Sequence, residues 1–227
     1  MSNTEDSKKQ VIGLLGEMSV VMAFHERGWQ VYRPVLDENI DFVLTRYYCT
    51  NCKKFTSLHQ RITTTKNKKG KDVTYKAITN LCDICHKAKI RNIVRFIQVK
   101  TSEGIRSGRN VDNFSFHAKL RHHVDPRTFY VWIAVHPGEQ EEQKEQGEQE
   151  ERIDKKRLCY YVFHYNNVQD FDNIELPSYQ ESDNQKTALR INAECEVITQ
   201  GSIHNYDCFR EFLDNFEILD TITSDDE

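Results

Sequence analysis

Two short cysteine pairs, Cys49-Thr50-Asn51-Cys52 and Cys82-Asp83-Ile84-Cys85, stand 29 residues apart and constrain this chain more than any other feature. Thiolates spaced C-x-x-C grip one ion from a tight turn, and two such turns close a tetrahedral site. The spacing predicts a structural Zn2+ held by Cys49, Cys52, Cys82 and Cys85 in a zinc ribbon. Four protein ligands leave no open position for a substrate. His59 or His86 can each replace one thiolate, but the four-cysteine set needs fewer assumptions. Between the pairs, Thr63-Thr64-Thr65 and Val73-Thr74-Tyr75 suit a β-hairpin. Seven cysteines, an odd count in 227 residues, argue against a disulfide scaffold and for a reducing compartment. Cys159, Cys195 and Cys208 read as buried or half-buried side chains.

Charge is segregated around these pairs. From Arg46 to Arg95 there are 13 Lys/Arg against 2 Asp/Glu, a local +11 in a chain of net charge -4, so the remainder carries -15. A concentrated basic segment on an acidic body points to a polyanion partner. The lysine-rich tip, Lys66, Lys68, Lys69 and Lys71, is its candidate nucleic-acid contact. Mean hydropathy is -0.71, no apolar run spans a membrane, and the opening MSNTEDSKKQ lacks the core of a secretory signal. An intracellular protein, cytoplasmic or nuclear, with no membrane partner is expected.

Periodicity predicts a helix over 7–28, with a capping box from Ser7 to Gln10 and Gly28 as its stop. Val11, Leu14, Leu15, Met18 and Met22 share one face and are expected to be its buried stripe. Strands follow at Trp29–Arg33, Ile40–Leu44, Ile93–Lys100, Phe129–Val135 and Leu158–His164, with a polar turn over Leu36–Asn39. A closing helix is expected over 207–219, with Phe209, Phe212, Leu213 and Phe216 on one face. Glu139–Glu151 reads as part of an acidic solvated loop, and 220–227 as an acidic tail. His117 and the pair His122-His123 read as ordinary polar positions.

Three elements carry chemistry: Gly16-Glu17 in the first helix, Asp41 in a strand, and Gln98-Val99-Lys100 in a later strand. Strand alternation puts Gln98 and Lys100 on one face, with Ile97 and Val99 on the other. Charged groups inside apolar strands are costly unless they serve a site. Phosphodiester hydrolysis needs these residue types together: oxygen ligands for Mg2+, a bound water of lowered pKa, and a cation for the developing charge. Asp41 would be the central ligand, Gln98 an amide-oxygen ligand and Val99 a carbonyl ligand. Lys100 would orient or help deprotonate the attacking water, and Glu17 would ligate directly or through a water.

The series Gly13-x-x-Gly16-Glu17, Gly28-Trp29, Ile40-Asp41 and Gln98-Val99-Lys100-Thr101-Ser102 resembles the PD-(D/E)xK superfamily, which includes restriction enzymes and Holliday-junction resolvases. The resemblance covers roughly residues 10–47 and 92–135. It implies an α/β restriction-endonuclease-like mixed sheet flanked by helices, with catalytic Asp41, Gln98 and Lys100 and the helix acid Glu17. Two departures stand out. Asn39 lies where a Pro-Asp step is common, and Gln98 replaces the usual acid, a QxK form that some members carry and that removes one negative charge from the metal site.

The expected organisation is a discontinuous core, 7–47 and 92–219, with a zinc-ribbon insertion at 48–91, an acidic loop at 139–154 and a tail at 220–227. The insertion is expected to leave beside the Asp41 strand and return beside Gln98–Lys100, with its base at the cleft. The expected activity is endonucleolytic cleavage of DNA with catalytic Mg2+ or Mn2+ and structural Zn2+, in restriction, repair or recombination. A homodimer is a further expectation. Two alternatives stand beside this: an inactive nucleic-acid-binding module that uses the ribbon, and a protein-protein adaptor.

Overall fold

A computed structural model describes residues 3–35, 40–107, 110–118, 125–136, 157–167, 178–181, 184–192, 197–199, 202–204, 208–223 and 226. The expected polar turn over Leu36–Asn39, the acidic loop, His122-His123 and Cys195 lie outside these. Among them the fold is mixed α/β, mostly strands with few helices. After α1 (Asn3–Glu26) come β1 (Gln30–Tyr32), β2 (Phe42–Cys49), β3 (Lys54–Thr56), β4 (Leu58–Lys66), β5 (Asp72–Cys82) and β6 (Ile90–Glu103). Then follow β7 (Ile105–Ser107), β8 (Asn110–Ala118), β9 (Thr128–His136) and β10 (Arg157–His164). Strands β11 (Ser178–Glu181), β12 (Asn184–Asn192), β13 (Val197–Thr199) and β14 (Ser202–His204) precede α2 (Cys208–Glu211) and a 3-10 helix (Phe216–Asp220). No helix among the described residues is long and apolar enough to cross a membrane.

The central sheet runs β1-β2-β6-β9-β10, with β3 added beside β2. Among the described strands only the β6–β9 pair is parallel; β2–β6 and β9–β10 are antiparallel. One face buries Leu44, Ile97, Val131 and Ile133 under Val20 and Phe24 of α1 and Phe216 and Leu219 of the C-terminal segment. The other face carries Tyr130, Trp132 and Phe163. Phe116 of β8 stacks on Trp132 with centroids 4.9 Å apart. Strand β8 belongs to a second sheet, β14-β13-β12-β8-β7, with β11 beside β12.

Three local expectations change. Helix α1 starts at Asn3, so Ser7 to Gln10 lies inside it and is not its N-terminal capping box. From Val11 to Phe24 the helix is apolar almost all round, and it buries Ile12, Val20, Ala23 and Phe24. The stripe of Val11, Leu14, Leu15, Met18 and Met22 faces outward; Val11 is 66% exposed and Met22 63%. Gly16 decides between the faces. A Cβ there would lie 2.1 Å from Thr101 Oγ1 and 2.9 Å from Thr101 Cγ2, so the bare backbone is what lets α1 sit down on β6. Gly16→Ala should cost about 1–3 kcal/mol through this overlap, and Thr101→Ala should recover part of the loss, both read from denaturant midpoints. Equal stability of wild type and Gly16→Ala would contradict the close packing.

The expected closing helix over 207–219 is broken. Asp214 has φ 52, and its amide donates to the Tyr160 carbonyl at 2.6 Å. Leu213 bridges Tyr161, so the segment pairs with the edge of β10 between α2 and the 3-10 helix. Phe212 and Phe216 are nevertheless buried.

The acidic tail is docked where it is described. Arg95, 1% exposed, donates through Nη2 to Asp226 Oδ2 at 2.8 Å and to the Thr221 carbonyl at 2.8 Å. Its Nη1 also meets Asp226 Oδ1. Burial opposes ionisation of Asp226, but Arg95 and the Thr223 amide outweigh it and hold the carboxyl below the usual range. Removing one partner strands a buried charge, so Asp226→Ala should destabilise by about 3–5 kcal/mol. A depressed carboxylate contributes stability that is present above the unfolded value, about 3.9, and is lost as pH falls through the lower folded value. Thermal melting should therefore show an acid limb below about pH 4 that is weaker in Asp226→Ala. Superimposable pH profiles would contradict the pairing.

Candidate functional site

Strand β6 is 14 residues long and outruns its neighbour β2. Their register pairs Cys49 with Ile90 at one end and Phe42 with Ile97 at the other. Beyond Ile97 no described strand pairs with the β2 side of β6, and Asp41 sits in that fork. Its amide continues the ladder by donating to the Ile97 carbonyl at 2.9 Å. Its Oδ2 accepts the Val99 amide at 2.6 Å. Strand geometry turns the Val99 carbonyl toward the same side as its amide. One carboxylate and one backbone carbonyl thus converge on the edge that β2 vacates.

Gln98 and Lys100 are the flanking positions on β6, on the face away from the core residues Ile97 and Val99. Their β9 partners are Tyr130 and Trp132. Gln98 is buried and Lys100 half-buried. A primary amide survives burial beside the Trp132 face where a second charge would be costly. Burial also raises the Tyr130 phenol, so it stays neutral beside Gln98.

Glu17 stands apart from this set. Contact of Gly16 with Thr101 brings the helix across β6 one residue past Lys100, but the Glu17 carboxylate is held by Arg33 at 2.9 Å. Sequence reading did not flag Arg33, which follows β1 with no local signal beyond its charge. Asp41 is thus the one expected acid seated in the fork.

The four cysteines do come together. Cys49–Cys85 and Cys52–Cys82 sulfurs lie 3.6 and 3.8 Å apart, and all four lie within 4.8 Å of one another. Thiolates around tetrahedral zinc at ~2.3 Å are ~3.8 Å apart, so the donor set fits a metal such as zinc. The two turns are built alike. In each, the residue after the second cysteine, Lys53 (φ 55) or His86 (φ 53), is left-handed. Its amide donates to the carbonyl of the first cysteine at 2.9 Å. That repeated conformation was the signal missed in the sequence. His59 and His86 stack edge-on at 4.5 Å, with His59 Nδ1 3.2 Å from Asp83; they flank the cluster.

The thiols titrate unequally. Burial and the neighbouring sulfurs of Cys49 and Cys82 push Cys52 up to about 12. At Cys82 burial also opposes ionisation, but hydrogen bonds from Thr56 and the Cys85 and Ile84 amides outweigh it and bring the thiol down to about 6. Four thiolates could coexist this closely only with a cation between them.

The cluster lies at the far end of β2 from Asp41. Seven residue steps from Phe42 to Cys49 span roughly 25 Å, which corrects the expectation that the insertion's base lies at the cleft. From the cysteine turns β4 and β5 rise as a separate two-stranded sheet. Residues 60–72, including Lys66, Lys68, Lys69 and Lys71, are exposed throughout.

No protein-family model, no curated protein and no solved structure matches this chain. Its function has to be argued from its own residues.

Proposed function

We propose that this protein is a divalent-metal-dependent DNA endonuclease with a restriction-endonuclease-like core and a zinc-stabilised arm. The observation that carries the reading is the Asp41 carboxylate seated on the Val99 amide at the β2–β6 fork, with Gln98 and Lys100 on either side. The parallel β6–β9 pair set between antiparallel neighbours supports the core assignment.

In this reading Asp41 Oδ1 and the Val99 carbonyl, with the Gln98 amide oxygen, offer hard oxygen ligands to Mg2+ or Mn2+. The bound ion would supply a water of lowered pKa and neutralise phosphate charge. Lys100 would hold the attacking water and face the charge that grows on the phosphoryl oxygens. Glu17 joins the site through a water once Arg33 turns to the phosphate backbone. One ligating carboxylate is few for Mg2+, so substrate phosphate would be needed to complete a ligand set.

The arm supplies grip away from the scissile bond, because its base is roughly 25 Å along β2 from Asp41. Replacing Lys66, Lys68, Lys69 and Lys71 by Ala should weaken binding to all sequences alike. It should also lower the slope of log K against log salt by up to ~0.9 per lost phosphate contact. Unchanged affinity and slope would move DNA binding off the arm.

The α1 stripe supports a second copy as partner, since apolar patches of this kind mark interfaces; sedimentation of the full chain reads that directly. A second reading, a binding module without catalysis, draws on the same arm and on neutral Gln98. Cleavage assays with Mg2+ or Mn2+ separate the two.

A further inference from the structure

We propose that the β4–β5 ribbon lies in the major groove of B-form duplex DNA, with its acid-free face toward the base edges. This rests on the nucleic-acid reading above and narrows it to one duplex form and one groove.

The ribbon has no partner of its own. Its two strands pair only with each other among the described residues. Ile62, Tyr75 and Ile78 are 62, 57 and 71% exposed. Lone hairpins are marginal in water; this one is pinned at its base, where Leu58 pairs with Cys82 of the metal cluster. Unpaired edges and exposed apolar side chains are liabilities unless a partner covers them. Charge identifies that partner. From Leu58 to Leu81 there are six Lys/Arg and one acid, Asp72, which suits a polyanion and not an apolar protein groove.

Size selects the groove. Nine residues of β4 at ~3.3 Å each reach ~30 Å, close to one duplex turn. The major groove of B-form DNA, ~12 Å wide, admits a two-stranded ribbon, while its minor groove, ~6 Å wide, does not. The major groove of A-form RNA is too narrow for side chains to read.

Register selects the face. The pairs Arg61–Ala77, Thr63–Tyr75 and Thr65–Val73 lie on one side, whereas Asp72 lies on the other, opposite Lys66. The first side can approach the groove floor without a carboxylate near phosphate. Its threonine methyls suit thymine methyls, and the Arg61 guanidinium suits guanine O6 and N7. Outer-edge amides of both strands then face the phosphate walls as donors. At the tip, Asn67 Oδ1 accepts the amides of Lys69 and Lys71 at 2.9 and 3.0 Å, fixing the turn that carries Lys68, Lys69 and Lys71.

The test measures affinity of the full-length zinc-loaded protein for a fluorescent duplex, without added magnesium or manganese. Three competitors are compared with the plain duplex: one whose cytosines carry glucosylated hydroxymethyl groups filling the major groove, one saturated with netropsin in the minor groove, and an RNA duplex. Expected are at least ~10-fold weaker binding to the glucosylated and RNA duplexes and less than ~2-fold change with netropsin. Arg61→Ala should cost ~10-fold, and Lys76→Ala on the opposite side under ~3-fold. Equal affinity for the glucosylated duplex, displacement by netropsin, or equal effects of the two variants overturns the proposal. Absence of binding to plain DNA overturns both this and the nucleic-acid reading. Groove-selective binding without cleavage supports the proposal and removes only the nuclease.

Discussion

Asp41→Asn should lower divalent-dependent DNA cleavage by at least about a thousandfold while leaving thermal stability within about 1 kcal/mol of wild type. The Asn side-chain oxygen can still accept the Val99 amide, a 2.6 Å bond in the native fork, but it would no longer bring a negative charge to the proposed ion. Asp41→Ala should lose cleavage equally and also destabilise, by about 1–3 kcal/mol, because the Val99 amide then lacks its acceptor. A purely structural Asp41 would give the opposite pattern, with Asn retaining activity and Ala losing it in proportion to stability. Lys100→Ala should match Asp41→Asn in rate, since a half-buried lysine on the face of β6 away from Ile97 and Val99 supports no core contact of theirs. Gln98→Glu should preserve or strengthen metal binding by adding a ligand charge. Cleavage by Lys100→Ala at the wild-type rate would remove that residue from the site.

The second large effect concerns the cysteine cluster. Purified protein should carry one equivalent of zinc, and Cys82→Ser should release it. Structural zinc sites of this kind contribute about 10–16 kcal/mol of apparent binding free energy at neutral pH. The local fold has little else to hold it: β4 and β5 pair only with each other among the described residues. Hydrogen exchange on Cys82→Ser should show the amides of β4–β5 losing protection. Amides of β6 and β9 should keep theirs, because they draw on the buried faces around Ile97 and Ile133. A folded, reduced sample without bound zinc, or uniform loss of protection across both regions, would contradict this division.

What the sequence made legible follows from how local each signal is. The C-x-x-C turns are self-contained, and their four sulfurs converge. The alternation around Gln98 and Lys100 is likewise a property of one strand, and Ile97 and Val99 do enter the core. Helix α1 misled because apolar residues surround most of it. Its buried side was chosen by the bare backbone of Gly16 against Thr101, a tertiary contact across 85 positions. The closing helix failed for a similar reason, since pairing of Leu213 with Tyr161 outweighed its helical periodicity.

Other features depended on partners that no sequence window contains. Arg95 counts as the last cation of the basic segment until Asp226 meets it 131 positions later. The extra length of β2 moved the ribbon's base away from the fork, and nothing in Thr45-Arg46-Tyr47-Tyr48 marks where that strand stops. The second sheet did leave a trace: Phe114-Ser115-Phe116 alternates, and both phenylalanines are buried.

The most direct measurement of the central claim is incubation of the zinc-loaded wild-type protein with supercoiled plasmid and with oligonucleotide duplexes, junctions and flaps. Each is tested with Mg2+, with Mn2+ and without added divalent ion. The account predicts nicked or linear products from at least one of these DNA structures in Mg2+ or Mn2+, none without the ion, and none from Asp41→Asn under any condition. Intact DNA throughout, or cleavage that persists in Asp41→Asn, would contradict a phosphodiesterase site at the β2–β6 fork.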